Sequence, residues 1–93
     1  MAQALGRYTH ITTNTTTTCR SGMGMLLFVS INIKGTGGNT ATLYDSLTGS
    51  GTVIAVIDTT SAMGSILYEV LLQNGLTIVT ANGVAADLTV VTD

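Results

Sequence analysis

An all-β fold is what this chain predicts: a small antiparallel β-sandwich or jelly roll of seven or eight short strands, with residues 1–18 as an extended N-terminal arm or edge strand. Three observations predict it. The 93 residues include 18 Thr, 8 Val and 7 Ile, β-branched side chains that lose χ1 freedom in helices and pack well on pleated surfaces. Eleven glycines and no proline supply turn points without fixed kinks. Apolar and polar residues also alternate with period two in several short runs. A chain this short has side chains for one core, so residues 1–93 read as a single domain.

The strands follow in order. Tyr8 to Thr12 and Thr15 to Arg20 are threonine-rich and read as one or two strands near an edge, separated within the low-complexity tract Thr12-Thr13-Asn14-Thr15-Thr16-Thr17-Thr18. Leu26 to Lys34 alternates most clearly, with Leu27, Val29, Ile31 and Ile33 on a dry face and Phe28, Ser30, Asn32 and Lys34 on the other. Gly35-Thr36-Gly37-Gly38-Asn39 reads as a flexible connection to Ala41–Ser46, and Leu47-Thr48-Gly49-Ser50-Gly51 as a hairpin loop into Thr52–Asp58. Val53, Ile54, Ala55, Val56 and Ile57 are continuously apolar, which predicts that both faces of this strand are covered, by the core and by a neighbouring subunit or a crossing arm.

After a loop at Thr59–Gly64, Ile66, Tyr68 and Val70 alternate with Leu67, Glu69 and Leu71. Asn74-Gly75 offers the two positive-φ residues of a type I′ turn, so a tight hairpin is expected between Ser65–Gln73 and Leu76–Ala81. Asn82-Gly83 reads as a looser turn into a last strand, Ala86–Thr92.

Composition excludes several functions and points to one kind. Only 9% of residues are charged while 45% are apolar, too few charges to keep apolar patches apart in solution, so the chain reads as a subunit of an assembly. A net charge of −2, with Arg7, Arg20 and Lys34 scattered, cannot neutralise a phosphate track, which argues against nucleic acid. The longest apolar stretch, Met23–Ile33, is broken by Ser30 and Asn32 and falls short of the roughly 18 residues a membrane span needs. The first seven residues contain no basic segment followed by an apolar one, so folding in a cytoplasm is expected.

Chemistry-bearing motifs are sparse. The Gly35–Gly38 cluster lacks both the Lys-Ser/Thr of a phosphate loop and a following helix whose N-terminus would face a phosphate. His10 is the sole histidine and Cys19 the sole cysteine, so one chain offers neither a disulfide nor a multi-histidine or multi-cysteine metal site. In a trimer, three copies of His10 near an axis would be the one route to a metal site. A Ser-His-Asp set built from His10 and Asp45 has no nucleophile elbow, and Asp45, Asp58, Glu69, Asp87 and Asp93 are too dispersed for a calcium loop. Cys19 reads as a small buried hydrophobe, and Asn14-Thr15-Thr16 as a chance match to the glycosylation pattern. With no Trp, one Phe and three Tyr, little surface is left to stack on a sugar or a base. No catalytic group, cofactor or metal is expected.

Four segments together carry a resemblance: Ala41-Thr42-Leu43-Tyr44-Asp45, Gly51-Thr52-Val53-Ile54-Ala55, Asn74-Gly75-Leu76-Thr77-Ile78-Val79-Thr80, and Ala86-Asp87-Leu88-Thr89-Val90-Val91. Over about residues 24–93 they resemble small virion proteins of tailed bacteriophages, the capsid decoration or cement proteins among them. The resemblance implies a β-sandwich or jelly roll, often a homotrimer, on the outer capsid surface with the major capsid protein as partner, made in the host cytoplasm. The alternative is a tail- or fibre-associated module, or a host-surface or glycan-binding adaptor. Candidate contact residues, to another copy or to the capsid, are Tyr8, His10 and Ile11 in the arm, Met23, Met25 and Phe28 at the best strand, and Ile54, Val56, Leu67 and Leu71 in the later apolar strands. The arm, Ala2–Thr18, is expected to act by strand addition.

Overall fold

A computed structural model describes residues 6–61 and 63–93. Eight strands follow one another: β1 (Arg7–Ile11), β2 (Thr16–Ser21), β3 (Gly24–Ile33), β4 (Thr40–Asp45), β5 (Thr52–Asp58), β6 (Gly64–Leu72), β7 (Gly75–Ala81) and β8 (Asp87–Thr92). They form two antiparallel four-stranded sheets, a front sheet ordered β1-β8-β3-β6 and a back sheet ordered β2-β7-β4-β5. The chain changes sheet at every connection except the β4–β5 hairpin, which is jelly-roll topology. The all-β sandwich read from the sequence is therefore the observed fold, with β1 and β2 as edge strands on one side and β5 and β6 on the other.

The core lies between the sheets. Leu26, Val29, Ile31, Leu88 and Val90 project from the front sheet, and Ala41, Leu43, Ile57, Leu76 and Ile78 from the back. Each fully buried aliphatic side chain contributes on the order of 1.5–3 kcal/mol of burial free energy. Cys19 packs against this cluster from β2, as a small apolar residue would.

Three expectations need correcting. The dry face of β3 is Leu26, Val29 and Ile31, because Leu27 is an extra residue: Leu26 faces Thr92 while Phe28 already faces Val91. That bulge reverses the side-chain parity and leaves Leu27 half-buried, and a second register shift, between Ile31 and Ile33, goes with an Ile33 that is 62% exposed. The hairpin expected at Asn74-Gly75 does not form, since β6 lies in the front sheet and β7 in the back, and Asn74 does not take positive φ. Two positive-φ residues in succession occur instead at Asn82 (φ 71°) and Gly83 (φ 59°), where a Cβ on Gly83 would overlap the Thr36 carbonyl oxygen.

The Gly35–Asn39 connection is tied rather than flexible. Asn39 is fully buried, and its amide nitrogen donates to Asn14 Oδ1 (2.8 Å), to the Ala81 carbonyl (3.1 Å) and to the Asn82 carbonyl (2.8 Å). Its Oδ1 accepts from Thr59 Oγ1 (2.6 Å) and the Ala86 N–H (3.3 Å). One side chain thus joins the β1–β2, β3–β4, β5–β6 and β7–β8 connections, all at one end of the sandwich. At the opposite end the Asp45 carboxylate accepts backbone N–H groups of Gln73, Asn74 and Gly75, which holds the β6–β7 crossing open.

Candidate interaction surface

Antiparallel registers place side chains in rows across the outer surface of the front sheet. Tyr8 pairs with Val91, Val91 with Phe28, and Phe28 with Leu67, so one apolar row crosses all four strands. Its ends are open: Tyr8 is 76% and Leu67 69% exposed. Met25 pairs with Leu71, itself 61% exposed, and extends the apolar area toward the end that carries Asp93.

Beside this stripe runs a polar network. His10 Nε2 lies 2.6 Å from Asp87 Oδ1, Asn32 donates to both Asp87 Oδ1 (3.0 Å) and Thr89 Oγ1 (2.9 Å), and Ser30 donates to Asn32 Oδ1 (3.1 Å). The Asn32 amide, and after it His10, hold the Asp87 carboxyl below its usual range. His10 and Asp87 are paired within the chain, whereas Glu69 stands exposed on β6 between Leu67 and Leu71.

Asp45, Asp58 and Asp93 serve the fold. Backbone N–H donors from Gln73 and Asn74 hold Asp45 below the usual carboxylate range, and the Thr60 hydroxyl and N–H do the same for Asp58. Asp93 lies 3.6 Å from Arg20, whose guanidinium also donates to the Met23 and Asp93 carbonyls. Among the described residues no three His, Cys, Asp or Glu side chains converge as a metal site would require. Burial pushes the Cys19 thiol up to about 11, so at neutral pH it is a protonated packing group.

A groove of about 410 Å³ opens between the β5 and β6 edges. Ile31, Val56, Ile57, Met63, Ile66 and Tyr68 form its apolar walls, and Asp58, Ser61 and Ser65 add polar atoms. Val56 is 63% exposed, so the outer side of β5 is open in the single chain. Burial raises the Tyr68 phenol above its usual value, which marks the wall as partly desolvated.

The ten candidate contact residues thus fall into separate places. Tyr8, Phe28, Leu67, Met25 and Leu71 share the front-sheet surface, and His10 flanks it. Val56 lines the groove, Ile54 packs partly against the core, and Met23 stands exposed on the β2–β3 turn. Ile11 is a core residue, 3% exposed, because β1 turns it toward the interior, and it has no side-chain surface to offer a partner. Residues 1–5 of the arm lie outside the described residues. The groove was missed by sequence reasoning, since it is built by two strands that do not pair. The Asn14 amide, read as a chance glycosylation match, donates to the Gly83 carbonyl (2.9 Å) and serves the Asn39 cluster.

No family model, curated protein or solved structure matches this chain.

Proposed function

We propose that this chain is a structural virion protein, a capsid decoration or cement protein that binds the assembled head of a tailed bacteriophage as a homotrimer. The observation that carries the reading is the uncovered apolar stripe Tyr8–Val91–Phe28–Leu67, which crosses all four strands of a jelly-roll sheet beside the His10–Asp87 pair. A stripe of this kind loses little electrostatic solvation when covered and gains roughly 25 cal/mol per Å² of apolar surface removed from water. The resemblance of the strand motifs to decoration proteins supplies the identity of the partner, the major capsid protein.

The mechanism is linkage. A trimer that binds only the assembled shell stabilises it by RT ln(1 + [L]/Kd), about 2.7 kcal/mol per site at a hundredfold excess over Kd. Joining three copies makes the second and third contacts intramolecular, which raises avidity without new chemistry.

Cosedimentation of the purified chain with phage heads stripped of it tests the reading. Saturable binding in a fixed ratio to the major capsid protein, with a raised temperature of head rupture, is expected. A chain left in the supernatant, or immunogold label confined to tails, would sink it. Phe28→Asp is expected to weaken head binding at least tenfold while leaving the far-ultraviolet circular dichroism spectrum unchanged.

A further inference from the structure

A closed ring of three requires a head-to-tail contact, in which every copy presents two different patches that fit one another. The opposite sides of this sandwich carry such a pair. On the β1 side stands Tyr8, at 76% exposure the most open of the large apolar side chains among the described residues. On the far side lies the groove between β5 and β6, whose walls include Val56, Met63 and Tyr68.

We propose that the groove is the receptor for Tyr8 of a second copy of this chain, so that the β5–β6 side of one sandwich seats against the β1 edge of the next and leaves Val91, Phe28 and Leu67 of the stripe for the shell. The inference rests on the homotrimer reading and identifies its two contact patches.

Three features support this occupant. Tyr8 combines an apolar ring with a polar tip, and the groove combines apolar walls with Asp58, Ser61 and Ser65 as hydrogen-bonding partners for a phenol. The volume, about 410 Å³, accommodates an aromatic side chain with part of its strand. Charge also differs between the two sides: beside the His10–Asp87 pair, β1 carries Arg7, whereas β5 and β6 carry Asp58 and Glu69. Opposite signs on opposite sides favour head-to-tail approach over a two-fold contact that sets like against like.

Side chains rather than strand pairing make this contact, because both edges are blunted. Ile54 is an extra residue on β5 opposite β4, and β6 bulges at Tyr68–Glu69, where Glu69 takes φ 52°.

The test places a photo-activatable benzoylphenylalanine at position 8 of the full chain and maps the cross-linked peptides, alongside native mass spectrometry at micromolar concentration. The expected product joins position 8 of one copy to residues 56–68 of another, within a trimer. Val56→Asp should abolish both the cross-link and the trimer, whereas Leu47→Asp, on the distant β4–β5 loop, should leave both intact. A trimer cross-linked elsewhere, or a Val56→Asp protein that stays trimeric, overturns the inference and leaves shell binding standing. A monomeric wild-type chain overturns the inference together with the trimer. A trimer with the expected cross-link that ignores phage heads refutes the decoration reading alone.

Discussion

At one end of the sandwich a buried neutral amide, Asn39, gathers four connections; at the other, the partly exposed carboxylate of Asp45 and the Arg20–Asp93 pair gather the turns. Both arrangements satisfy backbone groups that the crossings between sheets leave unpaired. They differ in what they depend on. An amide in a dry setting has no competing water, so every hydrogen bond it makes is costly to lose. A carboxylate at the surface competes with solvent, titrates and is screened by salt. The first arrangement fixes how loops meet, and the second adjusts how firmly turns are held.

The largest effect expected from breaking this contrast is at Asn39. Asn39→Ala removes partners from the buried Ala86 N–H and from the Ala81 and Asn82 carbonyls, and leaves a cavity where a fully buried side chain stood. With buried unsatisfied groups costing about 1–3 kcal/mol each, a loss of about 3–4 kcal/mol is expected in urea unfolding. That is a large part of the roughly 5–15 kcal/mol available to a small domain. A loss below about 1 kcal/mol would show that the four connections are held by other means. Gly83→Ala acts at the same end through the backbone. The new Cβ collides with the Thr36 carbonyl in a left-handed conformation, and the Thr36–Val84 bridge must open. A cost of about 2–3 kcal/mol is expected, with strain at positive φ contributing about 1–2 kcal/mol of it.

These two positions also mark where the sequence is legible and where it is not. Local patterns located the strands well: the apolar run between turns gave the range Thr52–Asp58, which is observed unchanged, and by alternation Ile66, Tyr68 and Val70 do turn inward from Leu67, Glu69 and Leu71. Alternation is local and survives tertiary context. A bulge does not announce itself, because Leu26 and Leu27 are equally apolar and only the register against β8 decides which is buried. Turn chemistry was misplaced for a related reason. Asn74-Gly75 and Asn82-Gly83 carry the same dipeptide, but Asp45, 30 residues from Gly75, captures the amides of the first and prevents a type I′ turn. Asn39 was read as linker because its five polar contacts lie up to 47 residues away. The stripe on the front sheet was partly visible as Tyr8, Phe28 and Leu67, while its continuity through Val91 required the strand order.

The smallest effect belongs to Asp45 and sharpens the contrast through pH. Asp45→Asn keeps the shape but removes the charge that three N–H groups face, and a loss of about 1 kcal/mol is expected at pH 7, as for a lost capping residue. The carboxyl titrates below its usual range because the folded chain stabilises its charged form. A depressed folded-state value places that stabilisation above the unfolded pKa near 3.9, and it disappears as pH falls through the lower folded value. Asp58 and Asp87 shift in the same direction and add to the slope. Asn39 has no such dependence. Amide hydrogen exchange at pH 3, corrected for the intrinsic rate, should therefore show protection falling at Gln73, Asn74 and Gly75 before it falls at Thr59 and Ala86, whose N–H groups bond to Asn39. Equal loss at both ends would mean that acid unfolds the sandwich as one cooperative unit, and that the carboxylate and the amide, for all their difference in burial, hold a single structure rather than two separable ends.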